Sequence, residues 1–449
     1  MRKKRSSTNT RTRFTAGTQR TQRGILVALL CLPACVFAQT TLTLEQLEKM
    51  ALENHPAVAQ AQAMVRAAEG RTLQAGLYPN PVLGGTGDEN APGPVIRGGE
   101  FGGFFEQRIV TAGKLKLDRQ VARHGQQQTA HQAEAQRQRV LNAVRMLFYE
   151  ALGADRVVGV RGELAKLAAR AVATSRELAN VGQADKPDVL ASEIEAQRAE
   201  LGLTMAKNAQ QRAWRQLAAA AGKPEMEMTP LAGELEAAPK LELEAEMRTL
   251  LEKSPEVGIA QAMIRQEESG LRRAQVEKIP DIQVRGGVRY NRELLELGGT
   301  PVGVEGFFDV GVRIPLFDRN QGAVAAARAE LDRARREEQR VKLSLRSRLA
   351  AAWQQYQDDQ STALLYREQL IPRARQSHEM YAASFKQMAA AYPQVLISQR
   401  SLFQMEEEYV HALVGVWSSA VEIQGLLLGA GGEMARLRRP ERGKATEEE

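Results

Sequence analysis

The side chains capable of covalent or metal chemistry do not converge in this sequence. Five histidines, His55, His124, His131, His378 and His411, are spread through 449 residues. His124 and His131 share a helix face but stand two turns apart, too far to hold one ion. Both cysteines, Cys31 and Cys35, fall in one apolar stretch near the N-terminus. No nucleotide-binding loop is present, so any work against a gradient must draw its energy from a partner. These residues give no expectation of an enzyme, a cofactor or a firm metal site. What remains are charges set on regular faces. Arg285, Arg289, Asp309 and Arg313 alternate with apolar residues, while Asp188 and Gln394 follow breaks between helical tracts.

The alternating charges define the elements that must carry them. In residues 281–290, Ile282, Val284, Val288 and Tyr290 point one way, and Gln283, Arg285 and Arg289 the other. In residues 306–314, Phe308, Val310, Val312 and Ile314 oppose Asp309 and Arg313. A period of two marks strands with one apolar and one polar face. Each run is roughly 9–10 residues, about what a tilted strand needs to cross a bilayer. So few strands cannot close a barrel alone, and lipid does not tolerate an open sheet edge. A membrane location therefore demands several copies of the chain; the competing reading is the polar face of a soluble sheet.

The net charge of +7 and pI near 9.4 suggest a nucleic-acid partner, but position excludes it. Residues 1–23 hold 8 of the 61 basic residues and no acid, and an apolar run follows from Gly24 to Ala38. A basic segment, a short apolar segment and a Val-Phe-Ala ending describe a secretory signal peptide over residues 1–38. Without it, 53 basic residues face 54 acidic ones, and no thiol is left. A lipoprotein signal ending in Cys35 is the second processing route. Either one exports the chain from a bacterial cytoplasm.

The remainder repeats itself. Leu52-Glu53-Asn54-His55-Pro56 returns as Leu251-Glu252-Lys253-Ser254-Pro255, an offset of 199. Pro187-Asp188-Val189-Leu190 returns as Pro393-Gln394-Val395-Leu396, an offset of 206. So small a drift means one duplicated layout, with a first repeat over 39–240 and a second over 241–430. Each copy reads as a short helix, a second helix ended by proline, two strands and a long helical hairpin. The strands are expected near 81–87 and 100–109, then 281–290 and 306–314. The hairpins are expected over about 114–221 and 323–428. Helix from Lys114 to Asn180 would be on the order of 100 Å long. The second tract should be interrupted at Pro372. Small residues dominate the hairpin stripes, so neighbouring helices can approach closely. The charged segment 431–449 reads as a disordered tail.

In this order, behind a signal peptide, the chain resembles the outer membrane factor family, the TolC-like efflux ducts. The residues that carry the likeness are Thr43-Leu44-Glu45-Gln46 to Asn54-His55-Pro56, Ile314-Pro315-Leu316-Phe317-Asp318-Arg319-Asn320-Gln321-Gly322, and the two Val-Leu turns. Gly182 with Asp188-Val189-Leu190 keeps the family turn, whereas Met388 and Gln394 depart from it in the second copy. The Ala112-Gly113-Lys114 turn and the Pro-Leu-Phe-Asp-Arg-Asn-Gln-Gly string are most similar to the cobalt–zinc–cadmium efflux branch.

The resemblance implies a mostly α fold with a small β part, assembled as a homotrimer in outer-membrane lipid. Twelve strands would form a β-barrel, continued by a periplasmic barrel of α-helices. The helical turns would form a closable inner end that meets a periplasmic adaptor and an inner-membrane pump of the RND type. Arg285, Arg289, Asp309 and Arg313 would line the barrel lumen. Asp188 and Gln394 would ring the pore mouth, although Asp188 reads equally as a helix N-cap. Gly182, Lys186, Met388 and Tyr392 would contact the adaptor. The implied function is a passive exit duct, with heavy-metal cations as cargo. The alternative is a soluble coiled-coil tether or adaptor, which should show one hairpin flanked by β-rich halves rather than two hairpins.

Overall fold

The structure is a computed structural model that describes residues 41–88, 99–182, 185–294, 300–386 and 392–428. The expected leader over 1–38, Met388 and the charged tail over 431–449 lie outside the described residues.

The first repeat contains β1 (Leu42–Thr43), α1 (Leu44–Asn54), α2 (Pro56–Ala75), β2 (Val82–Asp88), β3 (Glu100–Ile109), α3 (Lys114–Asn180) and α4 (Lys186–Ala220). After β4 (Leu231–Ala232) the plan returns with α5 (Leu243–Lys253), α6 (Pro255–Val276), β5 (Ile282–Leu294), β6 (Pro301–Val312), α7 (Gln321–Leu365), α8 (Ile371–Lys386) and α9 (Tyr392–Gln424). α3, at 67 residues, is about 100 Å long.

Local chemistry sets the element ends. Thr43 caps α1 in a reciprocal capping box with Gln46, each side chain bonded to the other's backbone N–H. His55 and Ser254 occupy equivalent places before a helix-opening proline. His55 Nδ1 accepts from Ala57 N–H at 3.2 Å, and Ser254 Oγ accepts from Glu256 N–H at 3.3 Å. The N-terminal residues of α3 and α7 are preceded by left-handed residues, Gly113 (φ 66°) and Asn320 (φ 62°), so both strand-to-helix turns share one conformation.

Three sequence expectations need correction. β5 and β6 pair on to Leu294 and Pro301, beyond their clean alternation, and β6 ends at Val312 rather than Ile314. The return helix of the first hairpin, expected from Val189, starts three residues earlier as α4, because Pro187 fits the first helical turn, where no N–H is needed. Pro372 does not break its tract. A π-helical segment, Tyr366–Leu370, widens the helix just before it and carries the chain into α8.

The four strands form one antiparallel sheet in the order β2-β3-β5-β6, so β3 and β5 join the two repeats. β1 and β4 form a separate parallel pair. The main core lies where α1 and α5 pack on the middle of the long helices, around Leu47, Val144, Leu217, Leu250, Leu345 and Leu349. Tyr149 stacks on Trp417 at 3.8 Å, and the Trp417 indole N–H donates to Leu235 carbonyl at 2.8 Å. The Tyr149 ring is thus buried and the Trp417 ring half-buried against it, while the indole's polar edge is satisfied. Beyond this girdle α3 and α4 approach through Ala165, Ala168 and Ala199, a small-residue seam.

Candidate functional site

The sheet has two chemically distinct faces. Registers such as Arg285 opposite Asp309 and Glu106, and Val288 opposite Gly103 and Gly306, sort the residues. One face holds Leu83, Phe105, Val288, Val304, Phe308 and Val310, all exposed. Large apolar side chains standing in line on a free sheet face are the signature of a surface that meets lipid or another apolar partner. Arg285, Arg289 and Asp309 lie on the opposite face, and Arg313 continues it beyond the end of β6.

That polar face is more structured than its alternation suggests. The Arg289 guanidinium bridges Glu100 on β3 and Glu305 on β6, the latter at 3.3 Å. The Arg285 guanidinium sits 4.0 Å above the Phe104 ring. Phe104 and Phe307 are placed by glycines on neighbouring strands. A Cβ added at Gly84 would stand 2.5 Å from the Phe104 ring, and one at Gly287 would stand 2.8 Å from the Phe307 ring. The rings cover the bare glycine backbone, so bulk on one strand matches absence on the next. Glu100, Glu305, Phe104 and Phe307 escaped the sequence reading. Glycines interrupt the pattern of Glu100–Ile109, and only pairing across strands exposes the relationship.

At the base of the sheet the two repeats are locked together. Asp281, just before β5, accepts from Lys114 Nζ at 2.9 Å and from Arg108 Nη2 at 2.6 Å. The Thr111 backbone N–H adds a bond to the same carboxylate at 3.1 Å. Lys114 is 2% exposed. Burial alone would raise the Asp281 pKa, but the bonds from Lys114, Arg108 and Thr111 outweigh it and hold the carboxyl well below its usual range.

At the far end of the hairpins, Gly182 (φ 73°) turns the chain after α3, and Lys186, which opens α4, is exposed. Asp188 is half-buried within the first turn of α4; the N-cap position belongs to Asp185. The capping reading of Asp188 is therefore corrected, although a carboxylate in a first turn still complements the helix dipole. Gln394 is exposed in the first turn of α9, which Tyr392 opens. Arg176–Glu193 clasps the first hairpin and Arg375–Glu406 the second, while Arg400–Glu195 ties α9 to α4.

The histidines stay apart. His55 is a helix cap, His124 bonds Gln127, His131 lies against Gly258 of α6, and His378 bonds Ser398. Among the described residues no group of three His, Cys, Asp or Glu side chains could hold a metal ion. No described helix is long and apolar enough to cross a membrane.

The model of the family described as outer membrane efflux protein matches residues 47–223 and 247–427, one match in each repeat. The chain belongs to the outer membrane efflux protein family. Membership makes it an outer-membrane efflux protein. The cobalt-zinc-cadmium resistance protein CzcC of Cupriavidus metallidurans is 29% identical over 287 residues, 62% of this chain and 65% of that protein, so the match spans just under two thirds of that relative. A membrane protein from Pseudomonas aeruginosa superimposes with a TM-score of 0.71 at 18% identity, covering 86% of this chain and 93% of that one. The outer-membrane channel OprN gives 0.71 at 15% identity, covering 86% and 90%. At such identities the structural likeness establishes the fold: a TolC-like, mostly helical chain with a small sheet and a tandem repeat.

Proposed function

We propose that this efflux-family member is the passive outer-membrane exit duct of a tripartite efflux system, working as a homotrimer and delivering heavy-metal cations. The observation that carries the reading is the sheet itself. It pairs β2-β3-β5-β6 and leaves one edge of β2 and one of β6 without a partner among the described residues, while its apolar face is bare. Three copies joined edge to edge leave no free edge and turn the apolar face to lipid. The face of Arg285, Arg289 and Asp309, with Arg313 below it, then lines the lumen.

The cargo assignment rests on the likeness to a cobalt-zinc-cadmium resistance protein. Selectivity belongs chiefly to an inner-membrane pump of the RND type, which a periplasmic adaptor connects to the duct. Gly182, Lys186, Met388 and Tyr392 are the adaptor-facing positions, and Asp188 and Gln394 the pore mouth. Opening is an iris-like movement of the hairpin ends when the adaptor docks.

The test is to separate outer from inner membrane, extract with mild detergent and weigh the unheated complex. A heat-sensitive trimer in the outer membrane is expected, together with cobalt, zinc or cadmium sensitivity in cells lacking the chain. A monomer released with the soluble periplasm would sink the duct and favour a coiled-coil tether.

A further inference from the structure

The repeat makes a specific statement about how copies meet. α3 packs against α2 on one side and α6 on the other. Its repeat mate α7 packs against α6, the mate of α2, but among the described residues no helix takes beside α7 the place that α6 takes beside α3. In the sheet, β3 is flanked by β2 and β5, whereas among the described residues β6 is flanked by β5 alone. Helices and strands therefore lack the same neighbour, the α2–β2 corner of a second copy.

We infer that the Arg313–Gln321 segment of one copy seats on the α2–β2 corner around Asn80 of the next, as the amide-based counterpart of the ionic joint inside the chain. The proposal rests on the oligomeric duct reading and adds what its subunit joints are made of. The correspondences follow from the repeat. Pro79-Asn80 matches Pro280-Asp281, Arg108-Ile109 matches Arg313-Ile314, and the left-handed pair Gly113 and Asn320 sets Lys114 against Gln321. Within the chain, Arg108 faces Gln283 across the strands. Between copies, Arg313 faces Val82, with Asn80 one diagonal step below.

The exposed groups fit that occupant. Phe317 is 92% exposed, Ile314 70% and Leu316 64%, and they rim a cleft that also holds Arg313. On the other edge of the chain, Leu73, Leu77 and Tyr78 stand equally bare. Arg313 has no acidic partner among the described residues, unlike Arg108. The joint inside the chain gathers Lys114 and Arg108 on Asp281. The joint between copies sets Gln321 and Arg313 against Asn80, with amides in place of the carboxylate and the ammonium; in the single chain the Gln321 amide accepts from Arg319 N–H at 2.9 Å and donates to the Phe317 carbonyl at 3.4 Å, bonds it exchanges for Asn80. A ring of copies thus alternates strong ionic joints with weaker ones in which Arg313 meets an amide instead of a carboxylate, and separation at low denaturing strength occurs between copies.

Two measurements on the full chain in outer membranes test this. Val82→Cys with Arg313→Cys should cross-link under oxidation into dimers and trimers on a non-reducing gel. Arg108→Cys with Gln283→Cys should close within one chain and give no ladder. No ladder from the first pair, while the second closes and the native mass stays oligomeric, overturns the joint but leaves the duct standing. A monomeric native mass overturns both. Asn80→Asp with Gln321→Lys, which rebuilds the ionic set between copies, should raise the temperature at which the oligomer dissociates on a gel by about 5 °C. It should also exceed the sum of the single changes. An additive or lower value overturns the amide-for-ion reading.

Discussion

The Lys114 ammonium stands 2.9 Å from the Asp281 carboxylate across 167 residues of sequence, joining the turn that enters the first hairpin to the strand that opens the second sheet half. Lys114 is 3% exposed at its side chain and Asp281 9%, so neither charge is left to water. Breaking such a pair by removing one partner costs up to about 3–5 kcal/mol, because the buried Lys114 ammonium is then left with only Glu277, at 3.9 Å, to face it. Asp281→Asn should therefore lower the unfolding temperature far more than a change at an exposed pair such as Lys166–Glu163. Thermal unfolding of the detergent-extracted protein checks this.

The same pair predicts an acid response. The Asp281 pKa is depressed in the folded protein. Its stabilisation is complete above the ordinary carboxylate value of about 4 and is lost as pH falls from there toward the folded value. The native chain should lose stability over that acid range, and Asp281→Asn should flatten this part of the profile. Unfolding temperatures measured between neutral and strongly acid pH distinguish the two.

The helix caps give a milder test. His55 and Ser254 each satisfy one backbone N–H at the start of a proline-opened helix. Replacing either by Ala should cost about 1 kcal/mol. Ser254→Thr should keep most of the cap, since its hydroxyl accepts the same N–H without placing a charge at a position only 3% exposed. Equilibrium unfolding of the three variants measures the effect.

How much of this was legible in the residues follows from where each feature gets its cause. Helices α3 and α7 were readable because their turns carry local signals, Gly113 and Asn320, and because proline is absent through the first tract. Strands β5 and β6 were readable by period, but their ends were not, since the last pairs depend on a partner strand rather than on alternation. The lumen arginines were visible as charges. Their partners were not, because Glu100 and Glu305 become neighbours of Arg289 only through register. The Asp281 joint lay in plain sight as an Ala-Gly-Lys turn and a Pro-Asp step, with nothing local to say that they meet. Pro372 misled because a π segment absorbs it, a backbone adjustment that composition does not announce.

The close approach at the end of α9 is a packing prediction. The Asn142 amide donates to the carbonyls of Gly425 at 2.8 Å and Leu428 at 2.9 Å, closing the helix where Leu426 and Leu427 turn left-handed. A Cβ on Gly425 would overlap the Asn142 side chain. Gly425→Ala should destabilise the girdle by about 1–3 kcal/mol. Asn142→Ala on its own removes the cap, and combining the two should cost less than the sum, because the clash is gone. Unfolding of the singles and the double gives the coupling.

The last prediction concerns the proposed conduit. Arg289 holds Glu100 and Glu305 together on the sheet's polar face, and Gln394 stands exposed at the start of α9. In a trimeric duct each position occurs three times around one axis, so a single substitution changes the lumen charge by a ring. Arg289→Gln removes three positive charges and leaves two carboxylates per copy without their cation. Gln394→Asp adds three negative charges at the opposite end. Both should shift the reversal potential of single channels in a salt gradient toward cation preference, and the shift should shrink at high salt as screening shortens the reach of each charge. If Gln394→Asp leaves the reversal potential unchanged while Arg289→Gln moves it, the α9 turn does not stand at the pore mouth.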